Sequence, residues 1–347
     1  MEKNPDPAAR PGALSAGALS PFPAMPAPSV SVLMAVFNGG PLLEDSIRSV
    51  VGQTFRDWEM VVVDDASTDG TRALVESWSL KDPRIRLIGN GRNKGQTPCL
   101  NQGLRECRGV WVARQDADDL SHPERLGAQI SLLGRHSETV LLGTQGILVD
   151  ADGKRVGLLD VPCDPEGIAW SFPFLNPFLH TSVVFHRETV TAAGGYDENF
   201  HIAQDYDLWA RLAASGRTAN LPARLVSYRH AETSLSKTGR EVAFEEADRV
   251  STREAQRLLG RAWTGDEARL AGDFRRGLAA SERQDFWKMV ERLENERGRR
   301  LPRCLRAAWH LRVAGSARSV APVEMTAAFR AAPGFSARWV RDRWLSP

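Results

Sequence analysis

The sequence predicts an α/β fold, in which helices cover both faces of a mostly parallel sheet, followed by a helical C-terminal extension. From about residue 30, short β-branched runs alternate with helical patterns, and this alternation is typical of βαβ units. The strands are nearly continuous apolar runs, as in Met-Val-Val-Val at 60–63, which suits strands covered on both faces. After about residue 240 the chain is charge-rich with few β-branched residues, so several helices are expected there.

The predicted elements of the α/β part follow one another closely. Strands are expected at 30–37, 58–64, 85–88 and 110–115, and helices at 42–54, 71–80 and 97–105. The stretch 168–186 is uncharged apart from any charge on His180 and His186, but two prolines and an asparagine interrupt it. We therefore expect a loop that enters a strand at 181–185.

Three segments of different composition divide the 347 residues. Residues 1–28 contain seven Ala and seven Pro without periodicity, so we expect a disordered leader. The α/β domain is expected at 29–238, and the helical extension, with a basic end rich in Arg and Trp, at 239–347. Hydrophobic residues at 42% and charged residues at 25% argue against a membrane-embedded bundle.

The net charge of +2 hides an uneven distribution. Residues 297–347 hold eleven Arg and two acidic residues, a charge of +9, so the rest of the chain carries −7. Trp309, Trp339 and Trp344 lie among these arginines. Such a composition fits a helix on an anionic membrane surface, and it equally fits an appendage whose Arg face pairs with the acidic body. Nucleic-acid binding is not expected.

Neither a secretion signal nor a membrane span is expected. Glu2 and Asp6 occupy the would-be basic region of a signal peptide, and six prolines interrupt the uncharged residues 11–43. The four cysteines show no Cys-x-x-Cys spacing, which argues against a disulfide framework and a zinc knuckle. The expected location is the cytoplasm, with peripheral contact at the inner face of the membrane through 297–347 as an open alternative.

Polar residues at the carboxyl ends of three strands are the first candidates for a site, because ligands of open parallel sheets bind there. The first strand ends in Asn38, and the next two candidate strand ends carry Asp64, Asp65, Asp116, Asp118 and Asp119. Three carboxylates within four positions suit a hard divalent cation, with phosphate oxygens completing its shell. The first pair can alternatively cap the following helix. Neither a Gly-x-Gly-x-x-Gly after the first strand nor a Walker loop occurs, which excludes a dinucleotide fold and a P-loop.

Four motifs occur in order along the chain. They are Ser-Val-Leu-Met-Ala-Val-Phe-Asn at 31–38, Gln-Thr-Phe-Arg-Asp-Trp-Glu-Met-Val-Val-Val-Asp-Asp-Ala-Ser-Thr-Asp-Gly-Thr at 53–71, Asn-Lys-Gly at 93–95 with Asn101 downstream, and Asp-Ala-Asp-Asp at 116–119. Over about residues 30–235 the chain resembles the family 2 glycosyltransferases, which are inverting, nucleotide-sugar-dependent enzymes with the Rossmann-like GT-A fold. The resemblance implies this fold, a nucleotide-sugar donor, a divalent cation and an inverting displacement.

The resemblance also implies which residues bind the nucleotide. Asp65 accepts the imide N–H of uracil, and Ala35 lines the same pocket through its backbone, which favours a UDP-sugar. Asn38 and Asn93 belong to the same site. Asp116 and Asp118 contact the ribose and the metal-bridged diphosphate.

The implied cation is Mn²⁺ or Mg²⁺. Its expected ligands are Asp118, Asp119 and His230, and the division of contacts among these carboxylates and Asp116 is left open. The cation neutralises the charge that develops on the leaving nucleoside diphosphate.

A catalytic base is implied within Gln-Asp-Tyr-Asp-Leu-Trp at 204–209. Asp205 matches the base that the family supplies from a Glu-Asp pair, and it deprotonates the acceptor hydroxyl. Helix capping is the alternative role of this side chain. Gln204 departs from the usual Glu, which removes a charge. His180, Gln204 and Tyr206 are expected at the cleft for the donor sugar or the acceptor.

The implied function is that of an inverting hexosyltransferase in polysaccharide biosynthesis of the cell envelope. The donor is most simply a UDP-sugar, and the acceptor is a hydroxyl of a glycan, lipid-linked or cell-surface polysaccharide precursor. Two alternatives stay open: a catalytically inactive sugar-nucleotide-binding or assembly protein, which Gln204 makes conceivable, and a sugar nucleotidyltransferase. A nucleotidyltransferase would carry cations in a Gly-rich loop after its first strand, and Ala-Val-Phe-Asn-Gly-Gly at 35–40 has none.

Overall fold

The structure is a computed structural model that describes residues 27–229, 239–303, 305, 306 and 309. Almost all of the expected leader at 1–28, most of the basic end and His230 lie outside these residues. Within the described part of the chain, no helix is both long and apolar enough to span a membrane.

Four parallel strands form the first half of a nine-stranded sheet. They are β1 (Val30–Val36), β2 (Trp58–Asp64), β3 (Ile85–Gly89) and β4 (Trp111–Arg114), in the spatial order β3-β2-β1-β4. In the register of β1, Val36 lies opposite Asp64 of β2, and Leu33 lies opposite Arg114 of β4. The expected parallel α/β sheet is thus confirmed, and the carboxyl ends of its strands lie along one edge.

Five further strands extend the sheet beyond β4. They are β5 (Leu120–Ser121), β6 (Thr139–Val149), β7 (Arg155–Leu159), β8 (Val184–His186) and β9 (Arg217–Arg229). The short β8 pairs antiparallel with both β4 and β6, whereas the long β9 runs parallel to β6. Because β5 pairs with β9, the acidic segment 116–119 is held between β4 and β9.

Helices cover both faces of the sheet, as the sequence predicts. Within residues 27–229 they are α1 (Leu42–Val51), α2 (Thr71–Lys81), α3 (Gln96–Glu106), α4 (Arg125–Arg135), α5 (Pro165–Ser171), α6 (Arg187–Ala192) and α7 (Gln204–Ser215). Alternate residues of β1 face opposite sides: Val32 and Met34 share a core with α1, α2 and α4, and Leu33 shares one with α3 and α7. A Cβ at Gly103 would lie 2.3 Å from Leu33 Cδ1, so only glycine lets α3 approach β1 this closely.

The strand expected at 181–185 is shorter and begins later. Residues His180–Ser182 form a 3-10 turn, and β8 covers only Val184–His186. The Ser182 hydroxyl donates to the Leu179 carbonyl at 2.8 Å, and such local side-chain bonds compete with strand pairing. The prediction was therefore wrong for the residues of the turn, which instead place His180 beside the end of β4.

Within residues 239–300, three α-helices follow the α/β part, as the charge-rich composition predicts. They are α8 (Arg240–Leu259), α9 (Gly265–Arg276) and α10 (Arg283–Arg297). α9 begins with a capping box between Thr264 and Glu267. α8 and α10 end at Gly260 and Gly298, both in the left-handed conformation that glycine adopts readily.

An aromatic cluster joins these helices to the α/β part. Phe174, from the loop after α5, packs against Trp263, Phe274, Phe286 and Trp309, with ring centroids 4.6–6.0 Å apart. Trp309 is 2% exposed. This side chain therefore belongs to the core, while membrane contact through the rest of the basic end stays a prediction.

Replacing Phe274 by alanine should destabilise the protein, because its ring is buried and stacks on Phe286 at a centroid distance of 4.7 Å. We expect the free energy of unfolding in urea to fall by about 3–5 kcal/mol. The control Leu80→Ala, at a side chain that is 71% exposed, should change it by less than about 0.5 kcal/mol. Equal losses for the two variants would contradict the buried cluster.

Candidate active site

Three loops at the carboxyl edge of the sheet form the candidate site. Strand pairing continues past the ends of β1 and β2, because the Asp65 N–H donates to the Val36 carbonyl at 2.8 Å. The Asn90 N–H donates to the Asp64 carbonyl at 2.8 Å and extends the pattern to β3. The parallel register thus brings the loops that follow β1, β2 and β3 side by side, as strand-end reasoning predicts.

The loops after β1 and β2 hold each other in an uncommon backbone conformation. Asn38 has φ 51° and Ala66 has φ 62°, in the left-handed region. The Asn38 N–H donates to Ser67 Oγ at 2.9 Å, and Asn38 Oδ1 accepts the Thr68 N–H at 2.8 Å. Such conformations cost about 1–3 kcal/mol each and cluster at functional sites. Ala35 is half-buried in β1, just before these loops.

Asp65 is buried and organises the loop after β3. Its carboxylate accepts hydrogen bonds from Asn90 Nδ2 at 2.9 Å, from the Lys94 N–H at 3.0 Å and from the Gly95 N–H at 2.8 Å. Burial raises the pKa of this carboxyl, but hydrogen bonds led by that of Asn90 outweigh burial and lower the pKa below its usual value. Asn93 lies exposed in the same loop. Asn90 was not predicted, because none of the motifs contains it.

A buried guanidinium joins the acidic segment to His180. Arg114 is fully buried at the end of β4, where Nη2 donates to Asp116 Oδ1 at 2.5 Å and Nε donates to His180 Nε2 at 3.0 Å. Its Nη1 donates to the Leu33 carbonyl of β1. Burial opposes the ionisation of Asp116, but the charge of Arg114 prevails and lowers the pKa of Asp116. This carboxylate is thus ionised and paired inside the protein.

His180 is neutral near pH 7. Burial, followed by the charge of Arg114, lowers the pKa of His180 to about 4. Because Nε2 accepts from Arg114, the ring proton lies on Nδ1, which faces Asp116 Oδ2 at 3.6 Å. The structure therefore places His180 between Arg114 and Asp116.

Asp118 and Asp119 have fewer compensating partners than Asp116. Asp119 is buried: its Oδ1 accepts the Arg229 N–H at 2.8 Å, and its Oδ2 has no hydrogen-bond partner among the described residues. Burial and the charge of Asp116 raise the pKa of Asp118, and the same causes together with Asp118 raise that of Asp119 well above its usual value. A bound cation would stabilise the ionised forms of Asp118 and Asp119 and so lower both pKa values.

The described side chains do not form a closed metal site by themselves. Across residues 27–229 and 239–303, no three His, Cys, Asp or Glu side chains form a group that could hold a metal ion. The third expected ligand, His230, lies outside the described residues. A cation here would have to take further ligands from elsewhere, such as phosphate oxygens.

Two buried arginines that were not predicted support the acidic segment. Arg125 of α4 donates from Nη1 to Ser121 Oγ at 2.8 Å and from Nη2 to the Arg114 carbonyl at 2.9 Å. Arg229 of β9 donates from Nε to the Asp118 carbonyl at 2.9 Å. Burial, followed by the charge of Arg114, lowers the pKa of Arg125 to about 9. Neither arginine shares a local motif with the carboxylates, so no signal in the sequence identifies them.

Asp205 is half-buried in the first turn of α7. Its Oδ2 accepts a hydrogen bond from Asn176 Nδ2 at 2.9 Å, and its Oδ1 accepts the Tyr206 N–H at 2.7 Å. Burial, with the charge of Asp116 adding to it, raises the pKa of Asp205 to about 7. One oxygen thus satisfies a first-turn N–H, as the capping alternative proposes, and the carboxyl as a whole has the pKa of a general base near neutral pH.

The two residues that flank Asp205 in α7 are both buried. Tyr206 is buried, and its hydroxyl donates to the Phe172 carbonyl. Its ring therefore packs in the core, whereas the sequence analysis expects it at the sugar cleft. Gln204 is 2% exposed and donates from Nε2 to Gln96 Oε1 of α3 at 2.9 Å. Its Oε1 has no hydrogen-bond partner in the described part of the chain.

Comparison with known proteins agrees with this architecture. The sequence model described as "Glycosyl transferase family 2" matches residues 31–160. The amylovoran biosynthesis glycosyltransferase AmsE of Erwinia amylovora is 34% identical over 211 residues, which cover 60% of this chain and 78% of AmsE. EpsE of Bacillus subtilis (strain 168) is 35% identical over 207 residues, which cover 58% of this chain and 73% of EpsE.

The fold has counterparts among solved structures. The crystal structure of S. aureus TarS 1-349 in complex with UDP-GlcNAc matches with a TM-score of 0.54 and 17% identity, covering 82% of this chain and 87% of TarS 1-349. At this identity the likeness shows the fold alone, which is the GT-A fold. The family match, the similarity to AmsE, the fold and the strand-end geometry agree with one another. The chain therefore belongs to family 2 of the glycosyltransferases and is a glycosyltransferase.

Proposed function

We propose that this protein transfers a sugar, with inversion, from a UDP-sugar to a hydroxyl group of a polysaccharide precursor, with Asp205 as the base. The observation that carries the proposal is the placement of Asp205 in the first turn of α7, where Asn176 holds its carboxyl at 2.9 Å and burial raises its pKa to about 7. An ordinary exposed carboxylate is too weak a base for a sugar hydroxyl, and enzymes raise carboxyl pKa values for this task.

The donor assignment is supported by Asp65 and the loops around it. The ionised carboxylate accepts hydrogen bonds from three donors, Asn90, Lys94 and Gly95, and because the Lys94 N–H is shared between the two oxygens, about one of the four lone-pair positions remains for an additional N–H donor. The imide N–H of uracil is such a donor. Ala35, Asn38 and Asn93 would complete the nucleotide site.

The acidic segment would supply some of the ligands that a divalent cation needs, but not all of them. Asp119 Oδ2 has no hydrogen-bond partner among the residues that the structure describes, and Asp118 and Asp119 crowd each other, so Mn²⁺ or Mg²⁺ would stabilise both carboxylates. We assign these two side chains as ligands, with the donor diphosphate and His230 as further ligands, and we assign Asp116 to the nucleotide side because Arg114 neutralises it. When bound, the cation neutralises the charge that develops on the leaving UDP.

The chain's own residues then perform the transfer. Asp205 takes the proton of the acceptor hydroxyl as that oxygen attacks the anomeric carbon opposite the leaving diphosphate. Asn176 holds one oxygen of Asp205 by its hydrogen bond and leaves the carboxyl with a defined orientation. Neutral His180, held by Arg114, and Gln204 are proposed to border the sugar cleft.

The acceptor class is inferred from relatives. AmsE is named for amylovoran biosynthesis, and ExoO of Rhizobium meliloti (strain 1021), 31% identical over 228 residues that cover 60% of this chain and 63% of ExoO, is named a succinoglycan biosynthesis protein. We propose a glycan or lipid-linked acceptor of the same kind, used in the cytoplasm or at the inner face of the membrane.

Removing the base should abolish turnover without weakening donor binding. For Asp205→Asn we expect kcat to fall by about 10²–10⁴-fold, the usual contribution of a general base, with the Kd for UDP within about twofold of wild type. Isothermal calorimetry and a UDP-release assay measure the two quantities. Asp152→Asn, at an exposed carboxylate in the turn between β6 and β7, is the matched control and should keep full activity. Near-wild-type turnover by Asp205→Asn would refute the assignment.

The pH dependence of the rate should follow the ionisation of Asp205. Because the base acts only when ionised, kcat/KM at constant ionic strength should rise about tenfold per pH unit below pH 7 and level off above about pH 7, the pKa to which burial raises Asp205. The same profile recorded for Asp205→Asn should lose this limb. A wild-type limb near pH 4, the range of an unperturbed carboxyl, would contradict the raised pKa of Asp205.

Donor and cation binding can be measured without turnover. At 100 times its Kd, UDP with Mn²⁺ should raise the free energy of unfolding by about 2.7 kcal/mol, which a thermal-shift assay detects as a higher Tm. Asp119→Asn should lose the part of the shift that EDTA removes from wild type, and Asp152→Asn should keep it. A larger shift with GDP than with UDP would contradict the uridine site, and a UDP shift unaffected by EDTA would contradict the metal site. No shift with any sugar nucleotide would contradict the proposed function as a whole.

A further inference from the structure

The C-terminal helices reach the segment that leads into α7. Glu246 of α8 is 4% exposed, although it is a carboxylate. Its Oε1 accepts the His201 N–H at 2.7 Å, and its Oε2 accepts the Ile202 N–H at 2.9 Å and the Ala203 N–H at 2.8 Å. Three consecutive backbone donors therefore converge on one buried carboxylate from another helix.

The sequence at the start of α7 does not supply a side-chain cap. The residue at the N-cap position is Ala203, which has no hydrogen-bonding side chain. Backbone N–H groups at a helix start have no partner within the helix, and Ser, Thr, Asp or Asn usually satisfy one of them. Glu246, 43 residues away along the chain, instead accepts the N–H of Ala203 and those of the two residues before it, so it holds the backbone where the chain enters the helix and places a negative charge at the positive end of the helix. Asp205 lies in the first turn, just after these anchored residues.

The loop that carries Asn176 is also held by the C-terminal helices. Ser251 Oγ of α8 donates to the Pro173 carbonyl at 2.5 Å, and Arg275 Nη1 of α9 donates to the Phe174 carbonyl at 3.1 Å. The ring of Phe174 lies within the aromatic cluster. Because Asn176 donates to Asp205 Oδ2, both the backbone and the side chain of Asp205 are placed by segments that dock on α8 and α9.

A third contact fixes α7 against α8. Arg253 Nη1 donates to Asp207 Oδ1 at 2.6 Å, and Asp207 is buried two residues after Asp205. Glu246, at an interval of seven residues, lies on the same face of α8 as Arg253. This face of α8 therefore contacts α7 at its entry through Glu246 and in its first turn through Arg253.

We propose that Glu246 is a positioning residue for the catalytic base, so that the C-terminal helices are part of the active site and not an appendage to it. The proposal rests on the proposed role of Asp205. Glu246 does not touch substrate: it sets where α7 begins and thereby where the carboxyl of Asp205 lies relative to the donor sugar. The donor nucleotide site, at the ends of β1 and β2, shares no contact with Glu246.

The test is the pair Glu246→Gln and Glu245→Gln. The first variant keeps the size of the side chain but leaves one accepting oxygen in place of two, because the NH2 group of the amide cannot accept, so at least one of the three N–H groups loses its partner. The second makes the same change at the exposed neighbouring residue of the same helix. For Glu246→Gln we expect kcat to fall by about 10–100-fold, as for a small displacement of a reacting group, with the KM for the donor within about twofold of wild type. Glu245→Gln should match wild type.

Glu246→Asp provides a second variant that keeps the charge but withdraws the carboxylate by one methylene. We expect an intermediate kcat and an unchanged donor KM. If instead kcat in both Glu246 variants equals that of Glu245→Gln, or if it falls only in proportion to the folded fraction measured by circular dichroism, the proposal is wrong.

Hydrogen exchange separates this proposal from the proposed function. The amides of residues 201–203 should exchange at least about tenfold faster in Glu246→Gln than in Glu245→Gln, while those of β1 and β2 should not change. Faster exchange together with a wild-type protein that transfers no sugar would support the anchor and refute the proposed function. Unchanged exchange would overturn the proposal whatever the activity.

Discussion

The fully buried guanidinium of Arg114 is the interaction on which the rest of the acidic centre depends. The parallel register places carboxylates at the ends of neighbouring strands, where they repel one another and resist burial. Arg114 offsets this by pairing with Asp116, holding neutral His180 and donating to the Leu33 carbonyl of β1. One side chain therefore ties together the central strand, the acidic segment and the 3-10 turn.

The remaining charges are compensated unequally, and this inequality separates the roles of the carboxylates. Asp116 lies beside the positively charged guanidinium of Arg114, which lowers the pKa of Asp116. Asp119 shares its burial but keeps an oxygen without a partner in the described residues, and its pKa is raised well above its usual value. Asp205 has no cationic partner in the part of the chain that the structure describes, and burial raises its pKa to about 7. Environment, and not residue type, thus distinguishes an internal ion pair, a candidate cation ligand and a candidate base.

The C-terminal helices take part in this arrangement more closely than composition suggests. Their charges are largely paired with one another and with the α/β part, as in the contacts of Glu246 with the entry to α7 and of Arg253 with Asp207. Trp309, which stands among the arginines of the basic end, fills the aromatic cluster around Phe174. Helices that carry no recognised motif therefore support both the backbone of Asp205 and the loop that carries its partner Asn176.

By itself, the sequence determined the α/β fold, the boundaries of β2 and the carboxylates that gather at the edge of the sheet, because strand periodicity and strand-end chemistry are local properties. The sequence also singled out Asp205. The role of this residue as a base was assigned from the resemblance of the sequence to a family, and not from the spacing of its residues. Only the tertiary structure decided that Tyr206 belongs to the core, that residues 180–182 form a turn, and that Arg125, Arg229 and Glu246 serve the site. These contacts join residues far apart in the chain, so no local pattern encodes them, and burial, which sets the pKa values of His180 and Asp205, exists only in the folded protein.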